Sequence, residues 1–82
     1  MPEPLRILRR RAMQNKTGLP YSSINDRVRQ GALPPPISLG GNTVGWLEHE
    51  IDAVLRARMA GKTDPEVRAL VSQLKAERAR AA

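Results

Sequence analysis

Thr17-Gly18-Leu19-Pro20-Tyr21-Ser22-Ser23-Ile24, then Gly31-Ala32-Leu33-Pro34, then Leu39-Gly40-Gly41-Asn42-Thr43-Val44-Gly45-Trp46 read in order as a tight turn, a short polar helix, a proline stop and a glycine hairpin. Gly18 suits the left-handed position that ends a preceding helix, and Leu19 can bury across the turn. The second helix is expected to begin near Pro20, whose fixed φ suits a first helical position and whose missing N–H costs nothing there. With Ile24 at the centre of the buried stripe, Val28 falls beside it one turn on. Ser22, Asp26 and Arg29 then point away from the core, flanked by Ser23 and Asn25. By spacing alone this is equally an ordinary solvent face. The turn before it favours a face that reaches base edges in a major groove.

Working outward, Gly31 ends that helix and Pro34-Pro35-Pro36 forbids its restart. Gly40-Gly41 as a two-residue loop pairs Leu39 with Asn42, Ser38 with Thr43 and Ile37 with Val44. Ile37, Leu39 and Val44 then share one face, and Ser38 and Thr43 the other. Asn42 at the tip and Thr43 beside it are the residues such a wing presents to a neighbouring backbone or minor groove. The fold class expected is mainly α with a small β-hairpin: a winged helix-turn-helix over residues 1–62, and a C-terminal helix and tail over 63–82.

Residues 1–5, with two prolines, read as a frayed start, and Leu5, Ile7 and Leu8 as an extended lead-in against the domain. A first helix is expected over Arg9–Lys16 with Ala12 and Met13 turned inward. A third is expected over Leu47–Ala60 with a stripe of Leu47, Ile51, Val54, Leu55 and Met59. Glu48, Glu50 and Asp52 near its start and Arg56, Arg58 and Lys62 near its end complement the helix dipole. Trp46 reads as the largest core residue, joining wing to helix. Gly61 closes the third helix, and Asp64-Pro65-Glu66 opens a fourth, with Asp64 as N-cap and Pro65 at the first helical position. Val67, Leu70, Val71 and Leu74 make an apolar stripe, which either folds back on the domain or serves oligomerisation. Residues 75–82, alanine and charge, are expected to fray.

The chain has 82 residues, a formal net charge of +6, no Cys and no Phe. Its core must therefore come from aliphatic side chains, and neither a disulfide nor a thiolate metal site can reinforce it. His49, the one histidine, lies between Glu48 and Glu50 and reads as a solvated helix residue; no metal or other cofactor is expected. Residues 1–31 carry Arg6, Arg9, Arg10, Arg11, Lys16, Arg27 and Arg29 against Glu3 and Asp26, and hold nearly all the excess positive charge. Charge and motif coincide, which points to phosphate contact more than to a merely solubilising surface. No segment approaches the roughly 18 apolar residues of a membrane span, and the N-terminus lacks the apolar region of a secretion signal. A cytoplasmic, nucleoid-associated protein is expected. No triad, phosphate-cradling glycine loop or acidic metal cluster points to an enzyme.

Thr17-Gly18-Leu19, Ser22-Ser23-Ile24, Arg29-Gln30-Gly31, Leu39-Gly40-Gly41 and Val44-Gly45-Trp46-Leu47-Glu48 resemble the AlpA family of small phage and mobile-element regulators. More distantly they are similar to excisionases and to the DNA-binding domain of MerR-type regulators. The resemblance covers about residues 6–60, and its glycine pair with Val44-Gly45-Trp46 is the most specific part. It implies a winged helix-turn-helix that binds DNA repeats. Such proteins switch transcription of an integrase or excision gene, or bend an attachment site so that a recombinase runs towards excision. The chain departs from the family at Pro20, where a capping Ser is common, and at Tyr21, Asn25-Asp26 and Asn42, where Arg or Tyr-Arg is common. Arg10 stands where an apolar residue is usual. These departures imply a different DNA site and low affinity per copy; an Asp in the groove repels phosphate but can accept from cytosine N4.

Three functions follow as expectations. In the first, an excisionase or recombination directionality factor places Ser22, Ser23, Asp26 and Arg29 nearest the bases of double-stranded DNA, with Asn25 flanking them. Lys16, Arg27 and Arg9, Arg10 and Arg11 hold phosphates there, and Asn42 and Thr43 carry the wing. Copies then assemble on direct repeats through the last helix, with an integrase or recombinase as further partner. In the second, the same contacts regulate a promoter. In the third, the fold is a protein-interaction module with vestigial DNA binding, for which Asp26 is the best support.

Overall fold

Met13, Ile24, Trp46, Ile51 and Val67 come from five different elements, and all are buried in one core. In the computed structural model, which describes residues 5–81, those elements run in the order β1 (Ile7–Leu8), α1 (Arg10–Thr17), α2 (Tyr21–Arg29), β2 (Ile37–Gly40), β3 (Thr43–Leu47), α3 (Glu48–Met59) and α4 (Asp64–Ala81). The architecture is mainly helical with a small antiparallel sheet of order β1-β3-β2, as a winged helix-turn-helix requires. The frayed start expected at residues 1–4 and the last residue, Ala82, lie outside the described residues.

The turn forms as its residues dictate. Gly18 takes φ 72° and donates its N–H to the Gln14 carbonyl, closing α1. Thr17 Oγ1 donates to the Met13 carbonyl at 2.8 Å and accepts from the Leu19 N–H at 3.3 Å. Leu19 packs on the core from the far side of that turn. Two details of α1 and α2 differ from expectation. Ala12 is exposed, because Met13 alone fills the inward position of so short a helix. Pro20 is the N-cap of α2 and not its first residue: its ψ of 158° is extended, and its carbonyl accepts from the Ile24 N–H.

The sheet corrects the reading in two places. The lead-in is a true strand, with Ile7 opposite Leu47 and Leu8 opposite Trp46. Gly45 makes this approach possible, since a Cβ there would stand 2.3 Å from Ile7 Cγ2. In the hairpin the loop is Gly41-Asn42, one residue later than expected. Ile37 pairs with Gly45, Ser38 with Val44 and Gly40 with Thr43, so Leu39 is the extra residue of a bulge. Gly40 and Gly41 both have positive φ, 103° and 56°, which spends one glycine on the bulge and one on the turn. Ser38 Oγ accepts from the Gly40 N–H across it. Leu39 and Val44, expected to share a face with Ile37, are exposed at 44% and 41%.

In α3, Ile51 and Val54 face the core, while Met59, expected in the same stripe, is 85% exposed at the last turn. Glu50, expected only to complement the helix dipole, is buried. Helix α4 starts one residue earlier than expected. Thr63, not Asp64, caps it: Thr63 N–H and Oγ1 donate to Glu66 Oε1 at 3.0 and 2.9 Å, and Thr63 Oγ1 accepts from the Glu66 N–H. The stripe of this helix folds back on its own domain. Val67, Val71 and Leu74 are buried in the common core and Leu70 is packed against it. Within the chain, Val67, Leu70, Val71 and Leu74 thus take the first of the two expected arrangements. The helix also persists to Ala81 instead of fraying from residue 75, because Arg78 is anchored in the domain.

Candidate nucleic-acid interface

Burial of Ile24, with Val28 partly buried one turn later, fixes the rotation of α2. Ser22, Asp26 and Arg29 are consequently exposed along one line, with Ser23, Asn25 and Arg27 half-buried at its sides. Of the six α2 residues singled out for DNA, three thus form the outward line and three lie along its flanks. Their charges are not independent, because Arg29 Nη2 donates to Asp26 Oδ1. A cationic and an anionic group on the outward face of α2 thus offset each other.

The basic residues before α2 divide into two sets. Arg9, Arg10 and Arg11 are exposed at the start of α1 and make no ion pair among the described residues. Arg10 lies over the Tyr21 ring, 3.8 Å from its centroid, which joins α1 to the first residue of α2. This explains how an Arg occupies a position where an apolar side chain is usual: it packs through its planar face while remaining in solvent. Lys16 belongs to the other set. Its Nζ is 2.6 Å from Asp52 Oδ1 and 3.3 Å from Glu48 Oε2, so it ties α1 to α3. The Asp52 hydrogen bond holds the Lys16 pKa above its ordinary value, with Glu48 adding to it. Arg6 also approaches Glu48, at 3.6 Å. Asn42 is exposed at the wing turn and Thr43 is half-buried beside it.

His49 is exposed, and among the described residues no group of three His, Cys, Asp or Glu side chains could hold a metal ion. No described helix is long and apolar enough to cross a membrane. Two features escaped sequence reasoning. The Thr63-Asp64-Pro65-Glu66 capping box has a local signature, a Thr with a Glu three residues on. The ion pair of Glu50 with Arg78 has none, since 28 residues separate the partners.

Comparison with known proteins gives two matches. Residues 6–59 match the family described as prophage CP4-57 regulatory protein (AlpA). The uncharacterized protein ORF88 of Enterobacteria phage P4 is 40% identical over 57 residues, which are 70% of this chain and 65% of that relative. The chain therefore spans just under two thirds of that relative's length. No solved structure matches.

Proposed function

Because this chain belongs to the AlpA family of prophage regulatory proteins, we propose that it is a sequence-specific DNA-binding protein acting as an excisionase, or recombination directionality factor, of an integrated element. The observation that carries this reading is the exposed line of Ser22, Asp26 and Arg29 on a helix held by the Gly18 turn. Short polar side chains there can reach base edges, while Arg9, Arg11 and Arg27 are available to phosphates on either side. Asn42 and Thr43 would bring the wing to the adjacent backbone. Binding on repeats and bending of the attachment site complete the proposal. Contacts between copies then fall to surfaces other than the α4 stripe, which is buried at home.

A second reading, regulation of transcription at an integrase or excision promoter, is favoured by the description of the matched family as regulatory. It uses the same contacts. Gel-shift and bending assays on the attachment site and on that promoter separate the two. Stepwise shifts with bending at the attachment site, lost in Arg29→Ala, support the excisionase. Binding confined to the promoter without bending supports the regulator. Absence of salt-sensitive binding to either DNA rejects both and favours a protein-interaction module.

A further inference from the structure

Beside the C-terminal half of α2 lies a polar groove of about 260 Å³ in which three helices meet. Arg27 of α2, Arg58 of α3 and Arg68 of α4 all line it, together with Asp26 and Asp64. The carboxylates do not cancel the arginines evenly. Asp64 Oδ1 takes Arg58 Nη1 at 2.6 Å, and Asp26 is held by Arg29 outside the groove. Among the described residues, Arg27 and Arg68 have no carboxylate within ion-pair distance. Both also act on the Asp64 carboxyl, whose pKa is lowered by Arg58 first and then by Arg68 and Arg27. The Arg68 stem runs beside Gly31 at the end of α2, since a Cβ on that glycine would stand 3.8 Å from Arg68 Cδ.

Clustered guanidinium groups repel one another, and an exposed cluster adds little to folding. Placed along the flank of a helix that enters a major groove, the same cluster meets the sugar-phosphate strand bordering that groove. We propose that Arg27 and Arg68, with Arg58 beside them, form a phosphate clamp that brings α4 into the DNA interface. This rests on the DNA-binding reading and adds to it a strand contact from the C-terminal helix. Arg68 is the test residue because it is exposed and lies outside the helix-turn-helix.

The experiment measures binding of the full chain to a random-sequence duplex and to a selected site across a range of salt. Wild type is compared with Arg68→Ala, Arg68→Lys and Arg80→Ala; Arg80→Ala removes the same charge roughly 18 Å further along the helix. Arg68→Ala is expected to weaken both duplexes by the same factor and to reduce the slope of log K against log salt by about one. Arg68→Lys should keep the slope, and Arg80→Ala should leave both quantities unchanged. Thermal melts of the variants confirm that the fold is intact. The clamp is overturned if Arg68→Ala behaves as Arg80→Ala, or if it alters preference at one base pair instead of affinity at all. Wild type that shows no salt-sensitive duplex binding overturns the DNA-binding reading itself, and the clamp with it.

Discussion

Arg78, on the last turns of α4, reaches back 28 residues to Glu50 in the first turn of α3 and grips both its carboxylate oxygens. Nε donates to Oε2 at 2.8 Å and Nη2 to Oε1 at 2.5 Å, while Nη2 also donates to the Pro35 carbonyl at 2.7 Å. One guanidinium therefore joins α4, α3 and the proline segment that leads into β2. The Glu50 side chain is 2% exposed and the Arg78 side chain 24%. Removing one partner strands a buried charge. Arg78→Ala is expected to cost about 3 kcal/mol, the lower end for a broken buried pair because Arg78 keeps some solvent. Replacing both partners by apolar residues of similar volume should cost much less. Denaturant titration of the single and double variants measures the difference.

Removing α4 should abolish folding instead of leaving a working smaller domain. A chain truncated after Lys62 loses Val67, Val71 and Leu74 from the core as well as the Arg78 anchor. Each such aliphatic side chain contributes roughly 1.5–3 kcal/mol, and a core of this size leaves only about 3–5 kcal/mol to spare. Circular dichroism of the truncated chain should show no cooperative melt.

Gly45→Ala should detach β1. The new methyl would lie 2.3 Å from Ile7 Cγ2 and 3.3 Å from the Leu8 carbonyl oxygen. Overpacking of this kind costs about 1–3 kcal/mol. Shortening the opposing side chain with Ile7→Ala should recover part of the loss, which a melt of the double variant would reveal.

How far the sequence spoke depended on the range of the interaction. Gly18, the Ile24 stripe and the proline stop act within a turn or two, and the chain folds there as their chemistry requires. The hairpin was legible in kind but not in register. Two adjacent glycines satisfy either a two-residue loop or a bulge followed by a turn, and only the packing of β3 between two partners selects the latter. The short β1 had no alternation long enough to announce a strand. In the candidate interface, the outward line on α2 follows from its periodicity. The Asp26–Arg29 pair was readable in principle as an i, i+3 spacing. Pairing of Lys16 with Asp52 was not, because it depends on how α1 crosses α3.

Freeing Arg29 from its partner should change affinity more than stability. The Asp26 and Arg29 side chains are 54% and 75% exposed, so their pair contributes about 0–1 kcal/mol to folding. Asp26→Ala removes a negative charge from the outward face of α2 and leaves Arg29 unopposed. Binding to random-sequence duplex DNA at low salt should tighten several-fold, on the order of 1 kcal/mol, with an unchanged melt. A loss of selectivity for one cytosine would instead identify Asp26 as a base reader.

The capping box gives a pH dependence of definite sign. Hydrogen bonds from the Thr63 backbone and hydroxyl hold the Glu66 carboxyl below its ordinary pKa. A depressed folded value means that its stabilisation is complete above the ordinary glutamate range and is lost as pH falls through the lowered value. Wild type and Glu66→Ala should therefore differ in melting temperature by a constant amount near neutrality. The gap should narrow in acid, below the pKa of a free glutamate. A gap that widens in acid would contradict the assigned role of Glu66.

Trp46 is the single tryptophan of the chain, and its side chain is enclosed where β3 runs into α3. Its indole Nε1 is buried with no hydrogen-bond acceptor among the described residues. An indole so enclosed is shielded from bulk solvent, so it emits toward the blue end of its range and reddens once water enters. The junction of wing and helix thus carries its own intrinsic optical reporter. Loosening of the wing can be followed by fluorescence without any attached dye, separately from the helical signal of α4.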